Sequence, residues 1–212
     1  MSGVVSMQAL FGRGAQAESN DPGEMTRQGM ARFSAGDLDG SLAAFDAVHA
    51  RFPRYRPYLW QRGLSLYYAE RVQDGALQFA EDVAVNPNDT EEAIWHLLCE
   101  ARRSSSASWP EEGALLMVGV DKRPYMRAAY DLFDSGGKGE VDDLLAVGDA
   151  AGQDSGPWFY TRLYAGLYEE ARKRDDASRS FVLEAVNSPY GKRSGDYMAA
   201  VARMHAKVRG YS

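Results

Sequence analysis

Apolar residues recur at three- and four-residue steps along most of this chain, in segments separated by short runs of Gly, Asp, Asn and Pro. Leu38, Ser41, Leu42, Phe45, Val48 and Phe52 form one such stripe, the signature of an amphipathic helix. Ahead of it stands Ala35-Gly36-Asp37. Gly36 can take the left-handed conformation that closes a helix over Glu24–Ser34, and Asp37 can cap the next one, which Pro53 ends. A second pair follows the same plan. Trp60, Gly63, Leu64, Tyr67 and Tyr68 mark its first helix, Val72, Ala76, Phe79 and Val83 its second, and Asn86–Asp89 a turn. A helix restarts at Thr90, where Asp89 and Glu92 have capping-box spacing, and carries Ile94, Leu97, Leu98 and Ala101. Beyond Arg103 the pattern degrades. Ser104–Ser108 reads as a break, followed by a short helix over Trp109–Val118, another from Pro124, a loop at Asp134–Gly139 and a helix over Val141–Ala150. From Trp158 the paired pattern returns, and a closing helix spans roughly Ser194–Val208.

The first two pairs superimpose at a fixed spacing. Gly29 and Gly63, Phe45 and Phe79, and Pro53 and Pro87 are each 34 residues apart. Ala165, Phe181 and Pro189 fall 102 residues after Gly63, Phe79 and Pro87, which is three further periods. The small residues have a packing reason: glycine inside a helix costs about 1 kcal/mol against alanine, and close helix crossing compensates. A 34-residue period of small residue, aromatic and proline resembles the tetratricopeptide repeat, a helix–turn–helix unit that stacks into a solenoid. The early Trp position of that repeat holds Met25, Leu59 and Thr161 here. Gln61–Tyr68, Asn86–Asp89 and the late Phe159-Tyr160 helix also resemble the NlpI-like tetratricopeptide proteins of bacteria, algae and plants. The expected fold is therefore all-α, a right-handed superhelical solenoid with clear repeats at 22–55, 56–89 and 158–191. An irregular helical segment at 90–157 and a capping helix at 194–208 complete a single domain over 22–212. The resemblance implies an adaptor that recruits other proteins and can dimerise. It lies outside the cytoplasm in bacteria or in an organelle, the plastid, in algae. The lipid-attachment cysteine of the bacterial members has no counterpart, because Cys99 lies mid-helix.

Composition narrows the function. The chain has 212 residues, 45% hydrophobic and 25% charged, with a net charge of −6; these are values of a soluble globular protein, and with the resemblance the expected location is cytoplasmic or organellar. Clustered Lys and Arg, which phosphate neutralisation needs, are missing, so nucleic acid is not an expected partner. A single cysteine excludes an internal disulfide and a thiolate metal cage. No apolar run reaches the roughly 18 residues of a membrane span. Residues 1–21 stand apart as either a disordered tail or a targeting remnant, Ala15-Gln16-Ala17 having a small-x-small form.

No catalytic constellation emerges, and neither metal nor cofactor is expected. Gly137-Lys138 lacks the rest of a phosphate loop, with Leu132 and Gly139 at the required Gly and Ser/Thr positions. Asp134–Leu145 lacks a calcium loop's oxygens at Gly136, Lys138 and Leu145. His49, His96 and His205 lie far apart; an enzyme would need His96, Asp142 and Asp143 to converge in the irregular centre. In repeats of this kind a partner lies along the first helix of each pair. The groove residues here are Met30 and Phe33, then Trp60, Leu64, Tyr67 and Tyr68, then Ile94, Leu98 and Arg102. Aromatics and arginine are typical interface anchors, suiting an amphipathic or extended peptide. The alternative for Trp60 and Tyr67 is simple packing between repeats. The expected function is a non-enzymatic adaptor holding a protein segment in this groove; the competing reading is a fixed subunit of a larger complex, using outer helix faces and 104–157.

Overall fold

A computed structural model describes residues 20–103, 109 and 114–211. Residues 1–19 of the tail expected over 1–21 and the break at 104–108 lie outside the described residues, as does 110–113 of the helix expected over Trp109–Val118; Asp21 belongs to the fold, as the cap of the first helix. The described part of that segment, 114–118, is irregular rather than helical.

The described chain is all-helical. Helices α1 (Pro22–Ser34) and α2 (Leu38–Arg51) are followed by a 3₁₀ turn, Pro53–Tyr58. Then come α3 (Trp60–Tyr68), α4 (Val72–Val85), α5 (Thr90–Arg103), α6 (Pro124–Asp134), α7 (Val141–Ala151), α8 (Gly156–Ala171) and α9 (Asp175–Asn187). A short α10 (Pro189–Arg193) follows, because Pro189 starts a helix at its first position instead of only ending one, and α11 (Tyr197–Arg209) is the closing helix expected over 194–208. Neighbours pack in pairs: α1 on α2, α3 on α4, α4 on α5, α7 on α8 and α8 on α9. Among the described residues no strand is present, and no helix is long and apolar enough to cross a membrane.

Local sequence explains the boundaries. Asp21, Asp37, Ser155, Ser188 and Asp196 each accept a backbone N–H of the helix they precede. Gly36 closes α1 at φ +81°. The structurally equivalent positions 34 and 137 residues later are Glu70 and Lys173, held at φ 60° and 61°. Neither is glycine, so each carries left-handed strain of about 1–2 kcal/mol.

These positions also fix the repeat register. A methyl group on Gly29 would lie 2.8 Å from the Phe45 ring, and one on Gly63 2.7 Å from the Phe79 ring. Both pairs are 16 residues apart, the geometry their shared spacing anticipates. In the third copy the close approach belongs to Gly166 against Val182, again 16 apart, where a methyl would meet Val182 Cγ2 at 2.6 Å. The third copy is therefore offset by 103 residues from the second, matching Glu70 and Lys173. Ala165 sits beside this crossing, wholly buried, and Phe181 is half-buried. Of the three prolines, Pro53 and Pro87 are exposed and Pro189 opens α10.

A prediction follows for the second crossing. Overpacking costs about 1–3 kcal/mol, against about 1 kcal/mol of gained helix propensity. Gly63→Ala is expected to destabilise by about 1–2 kcal/mol in urea unfolding, with partial recovery when Phe79→Leu accompanies it.

Candidate functional site

Six of the nine expected groove residues lie beneath the chain's own helices. Phe33, Leu64, Tyr67, Tyr68, Ile94 and Leu98 are buried in a core they share with Phe159, Leu163, Tyr164 and Leu167 of α8 and Val201 and Ala202 of α11. Helix α11 lies against α1 and α3. Its Tyr197 ring packs 5.3 Å from Phe33 and 5.6 Å from Trp60, and Lys207 Nζ donates to the Gly36 carbonyl at 3.1 Å. Met30, Trp60 and Arg102 remain half-buried.

Arg102 joins a buried polar knot where α3, α5, α8 and α11 meet. Glu170 accepts from Tyr67 OH at 2.9 Å, from Arg102 Nη1 at 3.4 Å and from Arg209 Nε. Glu70 pairs with Arg102 at 2.7 Å and Arg209 at 3.4 Å. His205 is wholly buried, its Nδ1 3.3 Å from Tyr68 OH. Burial pushes its pKa down to about 4 despite the Glu170 carboxylate beside it, so the imidazole is neutral. None of these residues carried a sequence signal for meeting; Tyr68 and His205 are 137 residues apart.

His96 Nδ1 lies 2.9 Å from the Ala114 carbonyl oxygen, while Asp142 and Asp143 are exposed in the first turn of α7. Cys99 is buried, with its Sγ 3.1 Å from where a methyl on Gly75 would sit. Burial pushes its thiol up, away from a reactive thiolate.

What α11 leaves uncovered is a cavity of about 320 Å³ between the starts of α3, α5 and α11. Trp60, Phe79, Trp95, Tyr160 and Tyr197 supply aromatic walls, with Met30, Leu64 and Met198 between them. Four carboxyl residues line it as well: Asp89, Glu91, Glu92 and Asp196. Three have partners. Asp196 accepts from Tyr160 OH at 2.8 Å and Tyr190 OH at 2.7 Å. Glu91 accepts from Tyr164 OH at 2.8 Å and Arg123 at 2.6 Å. Asp89 accepts from the Glu91 N–H at 3.1 Å and Arg123 at 3.2 Å. Arg123 is itself fixed by Asp121, which also takes a hydrogen bond from Thr90 at 3.1 Å.

Glu92 differs, since its carboxyl hydrogen-bonds Asp89 through one oxygen and leaves the other without a partner. It is 6% exposed, and its Oε2 has no hydrogen-bond partner. Burial, reinforced by the neighbouring Asp89 charge, pushes its pKa up to about 9, so it is protonated at neutral pH. Two more lining atoms, Trp95 Nε1 and Tyr197 OH, are buried without a partner. Asp82 on α4 is raised to about 7, chiefly by burial. Sequence spacing had assigned Glu92 to a helix cap, and nothing in it signalled a buried carboxyl with one oxygen unpartnered.

The shift has a consequence for stability. An acid held protonated in the fold and ionised when unfolded penalises folding progressively as pH rises from about 4.5 to about 9. His205 acts in the opposite sense, adding stability as pH rises from about 4 to 6.5. Glu92→Gln removes the first effect alone. Its melting temperature is expected to match wild type near pH 5 and to exceed it by several degrees at pH 8.5, checked by thermal melts across that range.

Among the described residues no three His, Cys, Asp or Glu side chains are grouped to hold a metal ion. No known family's sequence profile matches the chain.

Proposed function

We propose that this protein is a non-enzymatic adaptor of the tetratricopeptide type. Its groove is closed by its own C-terminal helix, and it engages a partner protein through the cavity that the closure leaves. The carrying observation is the cavity itself, whose aromatic walls and buried, unpartnered Glu92, Trp95 and Tyr197 atoms are poor candidates for a passive core. Concave apolar sites with a few convergent polar groups are the usual form of a recognition pocket. The three Gly-type crossings and left-handed turns in common register support the repeat reading.

The fixed-subunit reading draws on a different surface. Tyr55 and Tyr58 of the 3₁₀ turn and Leu77 of α4 are exposed on the outer side of the first pairs, and Met117 and Val120 on the segment before α6. Such residues mark an interface when they cluster. A photo-crosslinking side chain placed at Met30, beside the cavity, or at Tyr58 separates the two. Adducts formed from position 30 in native extract support the adaptor; adducts from position 58 alone replace it with the fixed subunit.

A further inference from the structure

We propose that the cavity between the starts of α3, α5 and α11 binds an organic ammonium group, with Glu92 as its counter-ion and the rings of Trp60, Tyr160 and Tyr197 around it. The inference rests on the reading of this cavity as the recognition site and names the chemistry recognised there.

Charge selects a cation. The lining carries four carboxyl groups and no Lys or Arg. An anionic ligand would meet these carboxyls in a site of low dielectric, where Arg123 is already paired with Asp89 and Glu91. The donor set then favours an organic cation over a metal, because three of the carboxyls are already engaged by Tyr, Arg and backbone donors. Size is compatible: about 320 Å³ is at the small end of ligand sites, roughly 300–1,000 Å³. Aromatic faces attract ammonium groups, more strongly once these are desolvated. Trp60 and Tyr197 meet edge to face at 73°, offering the cavity two differently oriented ring surfaces.

The unpartnered atoms say where such a group sits. Glu92 Oε2 is a buried acceptor with nothing to accept, and Tyr197 OH is a second oxygen in the same condition. An ammonium donates three hydrogen bonds and satisfies both. Trp95 Nε1 is a donor, so it favours a ligand whose chain also carries a neutral oxygen, such as a carbonyl or hydroxyl.

Binding of this kind exchanges one cation for another. The ligand enters as RNH3⁺; the proton on the Glu92 carboxyl leaves to bulk water; the ion pair RNH3⁺·Glu92⁻ remains. The exchange is set by the groups that face Glu92. Asp89, through its charge and its hydrogen bond to the Glu92 carboxyl, and Asp82 from α4 disfavour its ionisation. Arg123, paired with Asp121 ahead of α6, opposes them. Tyr125 of α6, Tyr160 and Tyr164 of α8, and Tyr197 of α11 stay neutral, their phenols pushed up chiefly by burial.

Alkylammonium chemistry can arrive as a free amine or as a protein's lysine side chain. Calorimetry of the full chain with pentylammonium and with Nα-acetyl-lysine N-methylamide tests both, with 1-pentanol and the Nε-acetylated lysine compound as neutral controls. Saturable binding of an ammonium with release of one proton is expected, read from two buffers of different ionisation enthalpy. Affinity should rise about tenfold per pH unit between pH 6 and pH 8, because the amine, with a pKa near 10.4, stays protonated throughout. Glu92→Gln should weaken binding at least tenfold and abolish proton release while the protein stays folded. Tyr197→Phe should weaken it less. Binding by the lysine compound alone assigns the ammonium to a partner protein, and equal binding by both shows that a free amine suffices. The proposal is overturned if neither ammonium saturates, if 1-pentanol binds as tightly, or if Glu92→Gln binds unchanged. Ammonium binding without crosslinks from position 30 would sink the adaptor and keep the ammonium site; crosslinks without ammonium binding would do the reverse.

Discussion

Replacing Glu170 by alanine is expected to destabilise the protein by about 3–5 kcal/mol, the cost of breaking a buried ion pair from one side. Glu170 accepts from Tyr67, Arg102 and Arg209, and the residue is 8% exposed. Its loss leaves the Arg209 guanidinium largely buried with only the more distant, exposed Glu70 to pair with. Removing both charges together, as Glu170→Met with Arg209→Met, should cost less than the sum of the single changes, since no unpaired charge is left behind. Urea unfolding followed by helical circular dichroism gives both numbers. A loss below about 1 kcal/mol for Glu170→Ala would place the pair among ordinary surface ion pairs.

Val201→Asp is the second large effect. Val201 is fully buried on α11, within the core formed by α3, α5 and α8. A carboxylate there has no partner, and the penalty of about 4–5 kcal/mol belongs with the most severe single substitutions. Val201→Ala deletes only apolar volume and should cost about 1–3 kcal/mol by the usual scaling of buried methyl groups. The ratio of the two separates a helix packed into the core from one resting on its surface. Comparable small losses for both would mean that α11 contributes little to the fold.

Much of this architecture was legible in the sequence because helices announce themselves locally. Asp37 as a cap, Gly36 as a left-handed stop, and Gly29 and Gly63 as close helix crossings follow from short-range rules, while the rings they meet, Phe45 and Phe79, are seen only in the fold. The third crossing was misplaced by one residue, because Ala165 satisfied the small-residue pattern as well as Gly166 and Val182 hid the aromatic position. Glu70 and Lys173 gave no sign of a left-handed turn, since neither is the residue that adopts it freely.

The site was far less legible, for a physical reason. Periodicity shows that Phe33, Tyr67, Tyr68 and Leu98 share an apolar face, but not whether a partner or the chain itself covers it. Helix α11 carries Ala199, Ala200, Ala202 and Ala206, small residues whose pattern marks no strongly preferred face. Its docking depends on contacts such as Phe33 with Tyr197 and Tyr68 with His205, which link opposite ends of the sequence. Glu92 became distinctive only once burial and its unpartnered oxygen could be seen together.

The central claim is that α11 fills the groove of the native protein, so its amide protection tests the account most directly. Hydrogen–deuterium exchange is predicted to show residues 199–206 exchanging as slowly as 61–68 of α3 and 161–168 of α8, since all three segments open only when the core does. Exchange of 199–206 within the fast phase of a frayed helix, while α3 and α8 stay protected, would contradict it. The groove would then be open, and Phe33, Tyr67 and Tyr68 would be free to take a partner's helix.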